Sequence, residues 1–387
     1  MNFEQFLEKY NELDIKLLER EQLESFRDIF FEHGMLDKAL ELSKLVYEKY
    51  PNDEAAVISY ADNLMCLDKK DDALIVLYNS EKTAQTLLME ALIYKSDMLL
   101  DVAEQKLKSA KELAEEEELK NIIDYELSTV YAEDDKVEES LNITMDLFNR
   151  EKNLQNLKSV IDNMLMLGNY VDAIAFYLEY GEEYEDAELY FAIAFAYNNM
   201  HDLEKSKNYL LKTVSLDSEF RDAYMHLGFL SKGEEAINYF EKYLSLQGYS
   251  TAVYIHLTEL YRQEKQYNKI RSMVRDVLTN MGIDNDTLYI SINALKGLYE
   301  VEKIYEIYNE QDIIKEDSSL LVLTLLELSE DEDYVDFVLE EINKYHPFLY
   351  DEPSYYEVLS NVYKLTGNSV IKRYIEELEI RNNYNEF

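Results

Sequence analysis

His226 and His256 stand 30 residues apart in matching surroundings, Tyr224-Met225-His226-Leu227 and Tyr254-Ile255-His256-Leu257. Two imidazoles could begin a zinc site, but such a site needs three or four ligands converging on one point. No second His or Cys stands three or four residues from any of the five histidines. The matched surroundings therefore make the pair one position of a repeat, seen twice. Cys66 is the single cysteine, so it makes no internal disulfide, and no His/Asp arrangement marks it as a nucleophile. Its place near the end of a helix predicts a small, partly buried side chain. The 80 carboxylates must pair at catalytic separations by chance, and none is set apart by apolar or charged neighbours. These residue types predict no catalytic residues, no metal site and no bound cofactor.

The elements that carry these residues are predicted from composition. In 387 residues there are 9 Gly and 3 Pro, too few for the turns of a sandwich or barrel or for the Gly-rich loops of a nucleotide-binding α/β fold. An all-helical chain follows, in which few turns need positive φ. The 38 Lys+Arg against 80 Asp+Glu set a formal charge of −42, which opposes nucleic acid and anionic membranes. The start, Met1-Asn2-Phe3-Glu4-Gln5, has neither a basic nor an apolar leader region, and Leu320 to Leu328 is too short to span a bilayer and reads as a buried helix. A cytoplasmic location is expected. The acidic run Glu115 to Glu118 reads as a solvated helix face, and Asn142-Ile143-Thr144 as a chance sequon.

A period near 34 residues runs through the chain. Ala39, Ala73, Ala103, Ser140, Ala173, Ser206 and Ala236, followed by Ile270, are separated by steps of 34, 30, 37, 33, 33, 30 and 34. Gln22 to Asp53 shows the unit: a helix to His33, Gly34 in the turn, a second helix from Met35 to Tyr50, then Pro51-Asn52-Asp53 to start the next. Small residues recur in the first helices at Ala61, Ala91, Ser128, Ala194, Gly228, Thr258 and Ser360. Three residues later stand Leu64, Tyr94, Tyr131, Tyr197, Tyr261 and Tyr363, with Phe30 and Met164 at the same position of other units. A small residue on each helix lets the two backbones approach, and a neighbouring ring fills the groove between units.

In these residues the chain resembles the tetratricopeptide repeat, with small residues at motif positions 8 and 20 and an aromatic at 11. Arg27 and Ile161 at position 8, Tyr180 and Tyr243 at position 27 and the absence of Trp depart from the motif. Its style is similar to that of tetratricopeptide proteins of low-GC Gram-positive bacteria. The resemblance implies a right-handed superhelical solenoid of antiparallel hairpins: a capping helix over residues 1–19, eight hairpins over 20–282, irregular helical hairpins over 283–352, and a last hairpin with its cap over 353–387.

The resemblance also implies that first helices line a groove through positions 2, 5, 9, 12 and 13. The expected contact residues are Tyr125, Phe191, Phe195, Asn198, Asn199, Met225, Phe229, Glu259 and Arg262, with the phenylalanines as apolar anchors. Glu21, Glu24, Asp28 and Asp62 supply an electrostatic face. Acids at 24 and 28 stand where a chaperone-tail binder places Lys and Asn, which argues against that ligand. The expected function is a non-catalytic scaffold or adaptor for a protein or peptide segment of basic and apolar character. A signalling-peptide receptor and an acidic decoy for basic proteins are the alternatives.

Overall fold

The computed structural model describes residues 3–296 and 298–385, and every regular element among them is helical: 23 α-helices and two short 3-10 turns. The first two and last two residues of the expected caps lie outside the described residues. The chain forms two compact units, Met1–Asp202 and Leu203–Phe387.

Within the units helices follow one another as pairs: five in the first, from Arg20–Glu32 with Leu36–Lys49 to Leu154–Met166 with Tyr170–Tyr180, and in the second Arg221–Leu230 with Gly233–Ser245 and Thr251–Gln263 with Tyr267–Asn280. Several first helices begin at side-chain caps. Asp53 accepts from the Ala56 N–H at 3.0 Å, Asp186 from Leu189 at 2.8 Å and Asp317 from Leu320 at 2.8 Å, satisfying amides that have no partner inside the helix. Second helices start straight from the turn without a side-chain cap at Met35, Lys69, Leu99 and Asn169.

The turns correct one expectation. Positive φ is common: besides glycines such as Gly34 and Gly168, it occurs at Asp68, Met98, Asp135, His201, Gln247, Lys265 and Tyr299. The cause is a shared closure in which the amide two residues into the turn bonds back across six residues. Met35 donates to the Phe30 carbonyl at 2.9 Å, Leu99 to Tyr94 at 2.9 Å and Gln266 to Tyr261 at 2.7 Å. The repeat imposes this left-handed residue whatever its side chain, so the glycine count underestimates it.

Ala39, Ala73, Ala103, Ser140, Ala173, Ser206, Ala236 and Ile270 are all fully buried. In most pairs a first-helix residue twelve positions earlier faces them, as Ala91 does Ala103 and Ser128 does Ser140. In the pair Arg221–Leu230 with Gly233–Ser245 the interval from Gly228 to Ala236 is eight, because the first helix is short. Losing four residues removes about one turn and keeps the buried faces aligned.

The buried series continues through the stretch expected to be irregular, as Ile304, Val338 and Ile371. There Asn285–Lys296 pairs with Val301–Glu310, and Ser318–Ser329 with Val335–Leu349. A β-branched aliphatic replaces the small residue, which is why a search for small residues loses the register. The apolar run Leu320 to Leu328 lies in the buried helix Ser318–Ser329. In the last pair Leu359 and Val362 are fully buried while Ser360 and Tyr363, expected at motif positions 8 and 11, are partly exposed, so the motif positions there fall one residue earlier than expected.

In the first unit the helix Phe3–Asn11 covers the end of the stack. Its Phe6 and Tyr10 rings lie 5.4 and 4.7 Å from that of Phe30. In the second unit the buried core runs from Ala236 to Leu378. Cys66, expected to be partly buried, ends the helix Glu54–Cys66 and is exposed.

Candidate functional site

The expected contact residues fall on both units. Glu21, Glu24, Asp28, Asp62, Tyr125, Phe191, Phe195, Asn198 and Asn199 belong to the first, Met225, Phe229, Glu259 and Arg262 to the second.

In the first unit Glu24, Asp28 and Asp62 line a cavity of about 740 Å³ with Arg20, Arg27, Phe31, Ile58 and Met89, while exposed Glu21 is not among its lining residues. Two of these acids are already paired. Arg20 Nε is 2.8 Å from Glu24 and its Nη2 2.8 Å from Asp53, whose carboxyl Arg20 holds below its ordinary range. Arg27, at position 8 where the motif has a small residue, bonds Asp28 at 2.9 Å and also reaches Ser59. The expected acidic face is therefore partly neutralised from within. Tyr125 accepts a bond from Gln155 at 3.1 Å. Phe195 is 40% exposed, edge-on to Tyr170 at 6.2 Å. Asn199 donates to the Phe195 carbonyl at 2.9 Å, so part of its amide is spent on its own helix.

Asp162 occupies the same face on the helix Leu154–Met166. Desolvation is the main cause that pushes its carboxyl up to about 6, with Glu188 adding to the rise and Lys158 opposing it. A carboxyl whose folded pKa lies above its unfolded value penalises the fold once ionised, so stability falls as pH rises from about 4 to about 6. Asp162→Asn is expected to raise stability by up to about 1 kcal/mol at pH 7, allowing for solvent screening at an exposed group. Melting curves at pH 7 and pH 4 check this; a gain that persists at pH 4 contradicts the cause.

In the second unit a cavity of about 1110 Å³ is lined from three successive first helices and the turns beside them. Thr251–Gln263 contributes Ile255, His256, Glu259 and Arg262; Asn285–Lys296 contributes Asn293 and Lys296; Ser318–Ser329 contributes Glu327. Tyr299, Val301 and the run Glu330 to Asp333 complete it. Arg262 bonds Glu259, and Lys296 reaches Glu327 at 2.6 Å. The Glu327 side chain is 7% exposed, and burial raises its pKa against the opposing effect of Lys296. Phe229 is 43% exposed and packs edge-on to Phe240 at 5.0 Å and His256 at 5.5 Å.

Among the described residues, the acidic or imidazole side chains close enough to share a cation are Asp101, Glu104 and Asp134. Lysines already compensate two of them. Lys108 and Lys136 lie 2.6 and 2.8 Å from Glu104, whose pKa they pull down to about 2, and Lys136 is 2.6 Å from Asp134.

No protein-family model matches the chain. A curated relative, the TPR repeat-containing protein YpiA of Bacillus subtilis, is 25% identical over 215 residues, 54% of this chain and 49% of the relative. That relative is a tetratricopeptide-repeat protein, and the repeat of this chain is similar to it. The chain spans about half the length of the curated relative it matches. Solved structures that match part of the chain include a tetratricopeptide repeat protein of Parabacteroides merdae, 18% identical with a TM-score of 0.42 over 62% of this chain and 98% of that one. PilF of Pseudomonas aeruginosa is 14% identical with a TM-score of 0.42 over 51% and 92%.

Numbering the repeats by the motif they resemble, back from Ile304 and Val338, puts Asn293 and Glu327 at position 9, Lys296 and Glu330 at position 12 and Asp331 at position 13. Glu259 and Arg262 hold positions 9 and 12 of the preceding repeat. The motif's binding positions thus line the cavity, and the sequence reading missed five of them. The 34-residue step from Ile270 was the signal available for finding them.

Proposed function

We propose that this chain is a non-catalytic scaffold or adaptor that holds protein segments against the first-helix faces of its tetratricopeptide repeats. Proteins built from this repeat generally mediate protein–protein contacts, and the observation that carries the reading is the cavity of the second unit, lined from three consecutive repeats at the positions that such proteins use. A concave wall with a few charged groups, flanked by the half-exposed ring of Phe229, suits an extended segment with apolar anchors. No helix of the described residues is long and apolar enough to cross a membrane. Work in a cytoplasm is part of the proposal.

Affinity capture from cell extract with mass spectrometry tests the reading, using the unaltered chain beside Phe191→Ala/Phe195→Ala and Phe229→Ala. Loss of about 2 kcal/mol or more of partner binding, with the helical circular dichroism spectrum unchanged, is the expected result. Unfolding of the double variant would assign Phe191 and Phe195 to the core; unaltered binding by all variants would remove these rings from the interface. Recovery of a short peptide in place of a protein would favour a peptide receptor.

A further inference from the structure

We infer that the cavity of the second unit takes an arginine-bearing, basic protein segment, an assignment that rests on the binding role proposed above. The charge balance inside the cavity carries it. Its two cations are taken by its own acids, Arg262 by Glu259 and Lys296 by Glu327, a carboxylate that is itself more than nine-tenths buried. Glu330, Asp331, Glu332 and Asp333 remain, and none of them has a cationic partner among the described ion pairs. Four adjacent carboxylates along a concave wall focus a negative potential on whatever enters.

The same cavity is lined by Tyr299, 88% exposed and the most exposed large apolar side chain among the described residues. A solvated ring in a cavity that also presents carboxylates is a platform for a guanidinium, which can stack on the ring while its planar fork binds a carboxylate through two hydrogen bonds. An ammonium offers only a point charge, hence arginine rather than lysine. The volume of about 1110 Å³ admits several side chains and not merely one ion, and Ile255 and Val301 give apolar contact between the charges. The same negative charge rejects nucleic acid and anionic lipid, which leaves a polypeptide as the occupant.

The probe is a fluorescein-labelled nonapeptide of alternating Arg and Leu, with a Glu/Leu counterpart, titrated with the full chain by fluorescence anisotropy at about 50 and about 300 mM salt. Three variants are compared: Glu330→Gln/Asp331→Asn/Glu332→Gln/Asp333→Asn; Tyr299→Gly, which suits the left-handed backbone at φ 55 and should fold; and Glu115→Gln/Glu116→Gln/Glu117→Gln/Glu118→Gln, the same charge change on the first unit. The cavity quadruple variant is expected to bind the Arg peptide about tenfold more weakly, Tyr299→Gly about three- to tenfold more weakly, and the distant quadruple variant within about twofold of the unaltered chain. Equal losses in the two quadruple variants would reduce the effect to the long-range field and overturn the proposal. So would absence of binding at low salt, or affinity indifferent to both cavity changes. If the captured partner is lost from Phe191→Ala/Phe195→Ala while the peptide ignores both cavity variants, the scaffold reading stands and the cavity assignment alone falls.

Discussion

Phe240→Ala is expected to lower the stability of the second unit by about 3–5 kcal/mol, the range for removing a fully buried phenylalanine. Phe240 has no exposed surface, and its ring lies against the backbone of Gly228, where a β-carbon would come within 2.4 Å of the ring edge. Gly228 is thus a glycine in mid-helix for the sake of its neighbour. Gly228→Ala in the unaltered chain should therefore cost about 1–3 kcal/mol by overpacking. In the Phe240→Ala background the obstruction is gone, and the same change should instead stabilise by up to about 1 kcal/mol, because alanine is the better helix former. Urea unfolding of the four proteins closes the cycle. If the two single costs simply add, the ring is not what excludes the methyl group.

A second large effect is expected in the first unit. Asp124 is a buried carboxylate, 2% exposed, held by Lys111 and by Arg150, whose Nη2 lies 2.7 Å from Oδ2. The three side chains border a cavity of about 460 Å³ with Lys120 and Asn149, and Arg150 also donates to Asn121 at 2.6 Å. Removing both cations, as Lys111→Met/Arg150→Met, strands a charge away from water. The expected cost is about 3 kcal/mol, at the low end of the range because both cations are partly solvated. Asp124→Asn added to that background should recover most of the loss, since a neutral amide needs no counter-charge. Failure of the triple variant to recover would mean that the long side chains act by packing over the helices rather than by charge.

The contrast between these two sites marks how far the sequence could be read. Helix content, repeat step and paired small residues follow from local chemistry and spacing: Ala39, Ala73 and Ala103 are buried because a hairpin of about 34 residues returns the same face to its neighbour each time. Caps such as Asp53 act within three residues, so they too are readable in order along the chain. Beyond Ile270 the reading failed because it followed small residues, whereas burial follows the face: Ile304 and Val338 keep the step with larger side chains. That loss of register hid Asn293, Lys296 and Glu327, the inner positions of the later repeats.

Pairing between charges of different helices was beyond the sequence. With 80 acids, nothing local says that Arg20 reaches Asp53 or that Lys296 covers Glu327, while Glu330 to Asp333 have no cationic partner among the described ion pairs. Which charge meets which is set by the approach of helices about 30 residues apart in the chain, as for Arg20 and Asp53 or Lys296 and Glu327. Coulomb energy depends on that distance and on local burial, not on order along the chain. The sequence by itself determined the all-helical repeat and its period. Only the tertiary structure decided where a cavity opens and what charge is left inside it.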